Sequence, residues 1–270
     1  MVAKIYKKTL NFILFIKELL RPLNPFLKNQ NIDQIVDENK WELSFFDDFD
    51  GAELDESTWM THYYWGTSMI QDGQKQAYVN SALTISDSCL YIKPRNTTTK
   101  GWYYKDGEII RDKYPASSGM IHSGESFRQK YGTFSIRCKL PKGNNLLPST
   151  WLLDKQSWPP KLDIFEFDSN SGFRIFHGAE WGLEANPYFY QFKNQIFIKD
   201  LTNEFHIFTC VWEPNHIKWY IDNRLVAIYC GPGIPQTAMY LVINLALTER
   251  DNEYNNMVID WVKVWKLKTN

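Results

Sequence analysis

From Trp41 onward the chain consists of short apolar or alternating runs separated by Gly, Pro, Asn and Asp, with almost no helical periodicity. Such runs predict strands, and the breakers between them predict turns. The predicted strands are 41–49, 89–93, 131–140, 149–153, 161–168, 173–181, 188–198, 205–213, 239–247 and 257–267. Strands this numerous without intervening helices favour two antiparallel sheets packed face to face, an all-β jelly-roll sandwich.

One hairpin can be placed from local chemistry alone. In HIKWYIDNRLVAIY, residues 216–229, Asp222 and Asn223 lie between two apolar runs. Both residue types tolerate the left-handed backbone that a two-residue hairpin turn requires. The stretch therefore predicts a hairpin that turns at Asp222-Asn223.

Length and charge limit the function classes. A chain of 270 residues can form one all-β domain, which we place at 41–270 and expect to be a monomer. Lys and Arg total 30 against 31 Asp and Glu, so no broad basic field is available to bind nucleic acid. Aromatic residues make up 16% of the chain, more than a core of this size needs, which indicates that some rings face a ligand.

Residues 1–40 differ from the rest. Lys4, Lys7 and Lys8 precede an apolar stretch, 10–16, that is too short for the roughly 20 residues of a membrane span. An amphipathic helix within 1–21 fits the pattern, docked on the domain or on a membrane surface, followed by a linker. An atypical export signal and disorder are the alternatives, and we expect a secreted or cell-surface protein, with the cytoplasm as the alternative location.

The four cysteines are Cys89, Cys138, Cys210 and Cys230. They form no CxxC pair, which argues against the common zinc and thioredoxin motifs. They would allow two disulfides, but free buried thiols are favoured.

The stretch WPPKLDIFEFD, residues 158–168, concentrates ionisable side chains on one predicted strand. On a regular strand Lys161 and Asp163 point to one face and Glu166 to the other. A β-bulge at Ile164-Phe165 would shift the parity and bring Glu166 to the face of the other two. The alternative is an ordinary half-exposed strand in which Lys161 neutralises the two acids.

This stretch and its surroundings resemble glycoside hydrolase family 16, a jelly-roll family that includes laminarinases, lichenases and agarases. WELSFFDDFDGAELDESTW resembles the opening strand, and SSGMIHSGESFRQKYGTFSIRCKLPKGNNLLPSTWLL resembles the stretch that leads into the active site. FHIFTCVWEPNHIKWYIDNRLVAIY and MYLVINLALT followed by MVIDWVKVWK resemble the closing strands. The resemblance covers residues 41–267 and implies an open cleft for a β-linked polysaccharide, with no cofactor required.

The family motif is E-x-D-x-x-E, in which the first Glu is the nucleophile, the Asp tunes its neighbours and the last Glu is the general acid and base. The resemblance assigns the last two roles to Asp163 and Glu166, but Lys161 stands at the nucleophile position. A retaining glycosidase needs two carboxyl groups roughly 5 Å apart, and an ammonium cannot form the glycosyl intermediate. Its charge also opposes an oxocarbenium-like transition state, so we expect impaired retaining hydrolysis or transglycosylation.

Glu180, before Trp181-Gly182, stands where the family often has a His. If Lys161 and Glu180 face each other on adjacent strands, the Glu and His of the family are replaced by Lys and Glu. The two positions then still attract each other, but the positive and negative partners are exchanged, as expected of a glycan-binding pseudoenzyme. A relocated catalytic carboxylate at Glu180 is a less favoured alternative.

The resemblance also implies further site residues. Trp151 and Trp158 flank the motif strand and could stack on sugar rings, with core packing as the alternative. His177 is either a cleft residue or a structural histidine. The other implied substrate-binding positions are Arg137, Asn244, Trp65 and Trp102. Many members carry a structural calcium, for which the matching residues are Asp260 and Asp48, although Asp260 could equally be a surface aspartate.

Overall fold

The structure is a computed structural model that describes residues 35–68, 73–170, 174–183, 186–197 and 201–268. One antiparallel sheet has eight strands. These strands are β1 (Trp41–Asp47), β3 (Leu83–Ser86), β4 (Cys89–Ile92), β9 (Gly132–Lys139), β14 (His206–Glu213), β15 (His216–Ile221), β16 (Arg224–Tyr229) and β18 (Met257–Leu267). Their order is β16-β15-β14-β9-β18-β4-β3, and β1 also pairs with β18.

The second antiparallel sheet has six strands in the order β13-β12-β11-β10-β17-β8. These strands are β8 (Met120–His122), β10 (Leu146–Asp154), β11 (Lys161–Asp168), β12 (Arg174–Leu183), β13 (Asn186–Phe197) and β17 (Met239–Leu247). Two small sheets add β2 (Gln76–Tyr78) paired with β7 (Ala116–Ser118), and β5 (Thr99–Lys105) paired with β6 (Glu108–Tyr114). The predicted sandwich of two antiparallel sheets is confirmed.

The core lies between the two large sheets. Phe134 and Ile136 of the eight-stranded sheet and Leu162 and Phe167 of the six-stranded sheet belong to one buried cluster. Strand β17 is apolar almost throughout, and all of its residues are buried. Ile243 and its alternate neighbours face the core, whereas the residues between them pack in a second apolar cluster on the other side of the sheet. We call this other side of the six-stranded sheet the site face.

The Asp222-Asn223 hairpin is confirmed, because both residues have positive φ, 47° and 63°, between β15 and β16. The β5–β6 hairpin was not predicted. It turns at Asp106 and Gly107, with φ of 52° and 85°. The Asp-Gly pair is a strong hairpin signal in the sequence, but the apolar and aromatic residues beside it, 102–104 and 109–110, are consecutive and show no apolar alternation.

Two residues shortly before β1, at positions 35 and 36, pack on the domain. Ile35 and Val36 are buried against Trp41, Val211 and Tyr220 on the outward side of the eight-stranded sheet. The predicted N-terminal helix and its membrane-surface contact, within 1–21, lie outside the described residues. In the part of the chain that is described, no helix is long and apolar enough to span a membrane.

All four cysteines are free, as favoured by the sequence. Cys89, Cys138 and Cys210 are buried, but Cys230 is exposed, contrary to the expectation of buried thiols throughout. Burial in apolar surroundings raises the pKa of the Cys138 thiol well above its ordinary value.

Candidate active site

The centre of the site face is the bulge in β11. Trp151 pairs with Asp163 and Thr150 with Phe165, so Ile164 is an extra residue that has no partner on β10. The register with β12 shifts at the same point. Ser149 and Trp151 are two residues apart on β10 and lie opposite Glu166 and Asp163 respectively. The predicted bulge is confirmed, and it brings Glu166 to the face that carries Asp163.

Two side chains hold the bulge from the core side. The indole Nε1 of Trp219 donates a 2.8 Å hydrogen bond to the carbonyl oxygen of Asp163. His177 Nδ1 lies 2.7 Å from the carbonyl oxygen of Ile164, which can only accept, so Nδ1 carries the proton. A bulge leaves carbonyl groups outside the strand ladder, and these two bonds satisfy them.

His177 is therefore not a cleft residue. Its side chain is 1% exposed and packs 6.1 Å, ring to ring, from Trp219. It alternates with residues of the site face along β12 and points into the core with Ile175 and Ala179. Burial lowers the pKa of His177 to about 4, so the imidazole is neutral.

Lys161 lies on the site face with the two acids. Its Nζ is 2.8 Å from Asp163 Oδ1, and the two side chains are 18% and 12% exposed. The same ammonium lies 5.1 Å from the centre of the Trp151 ring, within cation–π distance. The residue at the predicted nucleophile position is thus an ion-pair partner of Asp163, inserted between that carboxylate and an aromatic floor.

Glu180 and Lys161 are Cα partners on β12 and β11. The predicted opposition of these two positions across adjacent strands is therefore present in the backbone register. The side chain of Glu180 lies outside the described part of the structure, so its pairing with Lys161 stays a prediction.

Trp151 forms a floor rather than an open stacking surface. It is only 5% exposed and packs against Tyr63, with ring centres 6.1 Å apart. Its Nε1 donates a 2.8 Å hydrogen bond to Asn244 Oδ1. Asn244, 4% exposed, in turn donates from Nδ2 to the hydroxyl of Tyr78 at 3.2 Å. The Asn244 amide is thus engaged in fixing Trp151, in place of the substrate contact expected for it.

The chain of hydrogen bonds continues away from the site face. Gln74 Oε1 accepts from Gln76 Nε2 at 2.7 Å and from the Tyr78 hydroxyl at 3.4 Å. Gln76 Oε1 accepts from the backbone of Leu247 at 2.8 Å, which ties the small β2–β7 sheet to the end of β17. The orientation of Trp151 therefore depends on residues some distance from the carboxylates.

Trp158, predicted to stack on a sugar, lies near this floor with two further predicted substrate-binding residues, Trp65 and Trp102. Trp158, just before β11, is 62% exposed. Trp65 stacks on Tyr63 with ring centres 4.5 Å apart and planes 7° apart. Trp102, on the β5–β6 hairpin, lies 5.4 Å from the ring of His62. The first of these offers a wide ring face to a ligand, and the other two form a partly exposed wall.

A second wall was not predicted from the sequence. His122 on β8 contacts the rings of Tyr64 and Tyr240, both with centres 5.1 Å away. Its Nδ1 accepts from the backbone of Gly124 and its Nε2 donates to the carbonyl oxygen of His62. Burial is the main cause that lowers the pKa of His122 to about 4. The aromatic run HYYWG, 62–66, was the available signal for this cluster.

Arg137 is not near the site face. It lies on β9 of the eight-stranded sheet, where its guanidinium forms an ion pair with Asp260 and lies 4.6 Å from the ring centre of Phe205. Arg137 alternates along β9 with Ile136 and Cys138 of the core, and so it points outward from the opposite side of the sandwich. Its predicted substrate contact is therefore wrong.

The expected calcium site does not fit these residues. Asp260 is already neutralised by Arg137, whose guanidinium would repel a divalent cation. Asp48 lines a separate pocket of about 640 Å³ with Phe45 and Phe127. Across the described ranges, no group of three or more His, Cys, Asp or Glu side chains is placed to hold a metal ion.

The two-sheet jelly roll with acidic side chains on a bulged strand defines the class of β-sandwich carbohydrate-active domains. The family model "Glycosyl hydrolases family 16" matches residues 54–263, and the chain belongs to that family. It is 28% identical over 253 residues to the endo-1,3-1,4-beta-glycanase ExsH of Rhizobium meliloti (strain 1021), covering 86% of this chain and 53% of that protein.

Two further similar proteins are named for other activities. A beta-1,3-glucan-binding protein of Penaeus monodon is 26% identical over 196 residues, covering 56% of this chain and 53% of that protein. The laminarinase catalytic domain of Thermotoga petrophila RKU-1 superposes with a TM-score of 0.70 at 21% identity, covering 85% of this chain and 99% of that one. The last similarity concerns the fold. The chain spans about half the length of the two sequence relatives.

Proposed function

We propose that this chain binds a β-linked polysaccharide along the site face and that Lys161 impairs the retaining hydrolysis associated with its family. The observation that carries this proposal is the 2.8 Å ion pair between Lys161 Nζ and Asp163 Oδ1. It supports the proposal because the resemblance assigns the nucleophile position to residue 161, and a retaining glycosidase needs a carboxylate there.

Two steps of retaining hydrolysis would suffer. Lys161 cannot supply the carboxylate that forms the glycosyl intermediate. Its positive charge, among side chains that are largely withdrawn from water, would raise the energy of a sugar that develops positive charge itself. Glu166 alone remains of the carboxylate pair, on the site face at the far side of the bulge. It could protonate a leaving oxygen, but no second carboxylate of the motif would trap the sugar.

Binding does not require the lost nucleophile. Trp158 is 62% exposed beside the motif strand, and a pyranose has an apolar face that an indole covers well. Trp65 and Trp102 extend the aromatic surface away from Trp151. A relative named as a beta-1,3-glucan-binding protein supports binding without implying turnover.

The pseudoenzyme form of this proposal adds co-adaptation between Lys161 and Glu180. Its support is that the two residues are Cα partners on adjacent strands. Paired changes of this kind would mean that restoring one carboxylate does not restore the site. We therefore expect Lys161→Glu alone to leave cleavage far below that of an active relative, whereas full recovery in that single variant would contradict co-adaptation.

A second candidate function is residual retaining hydrolysis or transglycosylation. The observation in its favour is that the bulge keeps Asp163 and Glu166 on one face of the sheet. The family motif requires its acidic residues to share a face. The substrates to compare are β-glucans, agars, carrageenans and xyloglucan, each scored separately for binding and for new reducing ends.

We expect at least one of these polysaccharides to bind without measurable release of reducing ends. Trp158→Ala is the matched variant, expected to weaken binding while the fold is kept. Turnover at the rate of an ordinary family member would contradict the impairment by Lys161. Failure to bind any of the polysaccharides would contradict the proposal as a whole.

A further inference from the structure

The β5–β6 hairpin has two chemically different faces. Its strands pair in uninterrupted antiparallel register, so residues that are Cα partners share a face. The face that carries Trp102 consists of Lys100, Trp102, Tyr104, Ile109, Arg111 and Lys113. The acidic residues of the two strands, Glu108 and Asp112, lie on the opposite face. We call the first of these the cationic hairpin face.

The three cations of this face are exposed, and among the described residues none of them has an acidic partner in an ion pair. Within the part of the chain that the structure describes, no ion pair includes Lys100, Arg111 or Lys113. Lys100 and Lys113 are Cα partners, an arrangement of like charges that destabilises a hairpin. An anion bound between them would relieve the repulsion.

Aromatic rings lie among the same cations. Trp102 is the Cα partner of Arg111, and Tyr104, which is 51% exposed, lies 5.7 Å from the Trp102 ring. Stacking surfaces beside guanidinium and ammonium groups suit a sugar that carries carboxylate or sulfate groups. From Lys100 to Tyr104 the strand extends about 13 Å, which exceeds one hexose ring.

The hairpin is joined to the wall of the site face. The Tyr104 amide donates to the carbonyl oxygen of Trp65 at 2.8 Å, and the Thr67 amide donates to that of Trp102 at 2.8 Å. Gly66 permits this approach, since a Cβ there would lie 2.3 Å from the Trp102 oxygen. Trp65 stacks on Tyr63, whose ring packs on Trp151, so the hairpin continues the aromatic wall outward from the carboxylates.

We propose that the cationic hairpin face binds an anionic stretch of the polysaccharide, with sugar rings on Trp102 and Tyr104 and acidic groups on Lys100, Arg111 and Lys113. This inference rests on the proposed function and specifies its ligand as an acidic β-glycan. Three cations in a chain of net charge −1 are too few for the extended backbone of a nucleic acid, which is the competing anionic ligand.

The test compares three hexasaccharides with the same β-1,3-linked glucose backbone. One is neutral, one is oxidised to carboxylates at its primary alcohols, and one is sulfated there. Binding is measured by calorimetry at low and at physiological salt. We expect the better of the two anionic probes to bind about tenfold more tightly than the neutral probe at low salt, with a smaller preference at higher salt. The preferred probe distinguishes carboxylate from sulfate recognition.

The triple variant Lys100→Gln, Arg111→Gln, Lys113→Gln should lose this preference and keep the affinity for the neutral probe. Lys105→Gln, on the opposite face of the hairpin, is the matched control and should behave as the unmodified chain. The four substituted side chains are all exposed, so the variants should fold normally. A thermal unfolding experiment on each variant is the check.

Equal affinity for neutral and anionic probes overturns the proposal and leaves glycan binding intact. An anionic preference that survives the triple substitution overturns it as well. Loss of binding to every probe and to the whole polysaccharide panel would overturn the proposed function along with it. Tighter binding of single-stranded DNA than of either anionic hexasaccharide would assign the cationic hairpin face to nucleic acid and also overturn the proposal.

Discussion

His177 Nδ1 donates a 2.7 Å hydrogen bond to the carbonyl oxygen of Ile164, the extra residue of the β11 bulge. A residue buried in the core thus fixes the irregularity that determines the surface chemistry on the other side of the sheet. Trp219 acts in the same way on the preceding residue, because its Nε1 donates a 2.8 Å hydrogen bond to the carbonyl oxygen of Asp163. The geometry of the site face therefore depends on polar contacts within an otherwise apolar core.

The first prediction tests whether the Trp219 hydrogen bond positions the β11 bulge or whether Trp219 only fills space in the core. Trp219→Phe removes the hydrogen bond to Asp163 and leaves a buried carbonyl without that donor, so we expect a loss of roughly 1–3 kcal/mol in the free energy of unfolding. Trp212→Phe is the control, because the Nε1 of this equally buried residue donates to Pro235, at 3.2 Å, away from the bulge.

Both variants should therefore lose stability in urea unfolding. Only Trp219→Phe should also weaken polysaccharide binding, because it releases the strand that carries Lys161, Asp163 and Glu166. Equal binding by the two variants would show that the hydrogen bond stabilises the fold without positioning the site.

The second prediction concerns pH. Burial lowers the pKa of His177 to about 4, against about 6.5 in an unfolded chain. The unfolded chain therefore takes up the proton first as the pH falls. The contribution of neutral His177 to stability is complete above about pH 6.5 and declines towards pH 4, by about 3 kcal/mol at most.

His177→Leu removes the titrating group together with its hydrogen bond. The stability advantage of the unmodified chain over this variant should shrink as the pH falls from 6.5 to 4, and should be constant between pH 7 and 8. Urea unfolding at several pH values measures it. His122→Gln should show the same direction, because the pKa of His122 is also lowered to about 4. An advantage that grows in acid would contradict the neutral state of these imidazoles.

The third prediction tests the Lys161–Asp163 pair as a stabilising contact. Removing one partner of a largely buried ion pair leaves the other charge without its partner, so Lys161→Gln should lower the free energy of unfolding by about 1–3 kcal/mol. Lys155→Gln breaks a pair of similar length, 2.6 Å to Glu125, but at an exposed position. We expect its stability to be almost unchanged, because exposed pairs contribute little. Equal stability of the two variants in urea would contradict a stabilising role for the Lys161 pair.

The sequence left the bulge open beside an ordinary regular strand, but it predicted the sandwich and the Asp222-Asn223 turn, because both depend on local pattern: apolar alternation and turn chemistry. It did not predict the direction of His177 or Arg137. His177 follows the bulge on the neighbouring strand, and Arg137 belongs to the other sheet, so both directions depend on long-range register that the pattern within each segment does not determine.

The two site tryptophans show the same limit. Trp151 and Trp158 both precede the first residue of the motif strand, by ten and by three positions, yet the first is 5% and the second 62% exposed. Their difference arises from Tyr63, Asn244 and Lys161, which cover and fix Trp151 from other segments. Residue type and position along the chain predicted both rings as substrate-binding residues, but could not predict which of them is buried in the floor and which is exposed.

The fourth prediction follows from that assignment. Trp158→Ala should leave the free energy of unfolding almost unchanged, because the ring buries little surface. It should weaken polysaccharide binding about tenfold if the exposed indole stacks on a sugar.

Trp151→Phe should instead lower both stability and affinity, since it leaves Asn244 Oδ1 without its donor and opens space beneath Lys161. Urea unfolding and calorimetric binding measure the two effects. A Trp158→Ala variant that binds as tightly as the unmodified chain would remove this ring from the binding site and leave the wall formed by Trp65 and Trp102 as the remaining stacking surface.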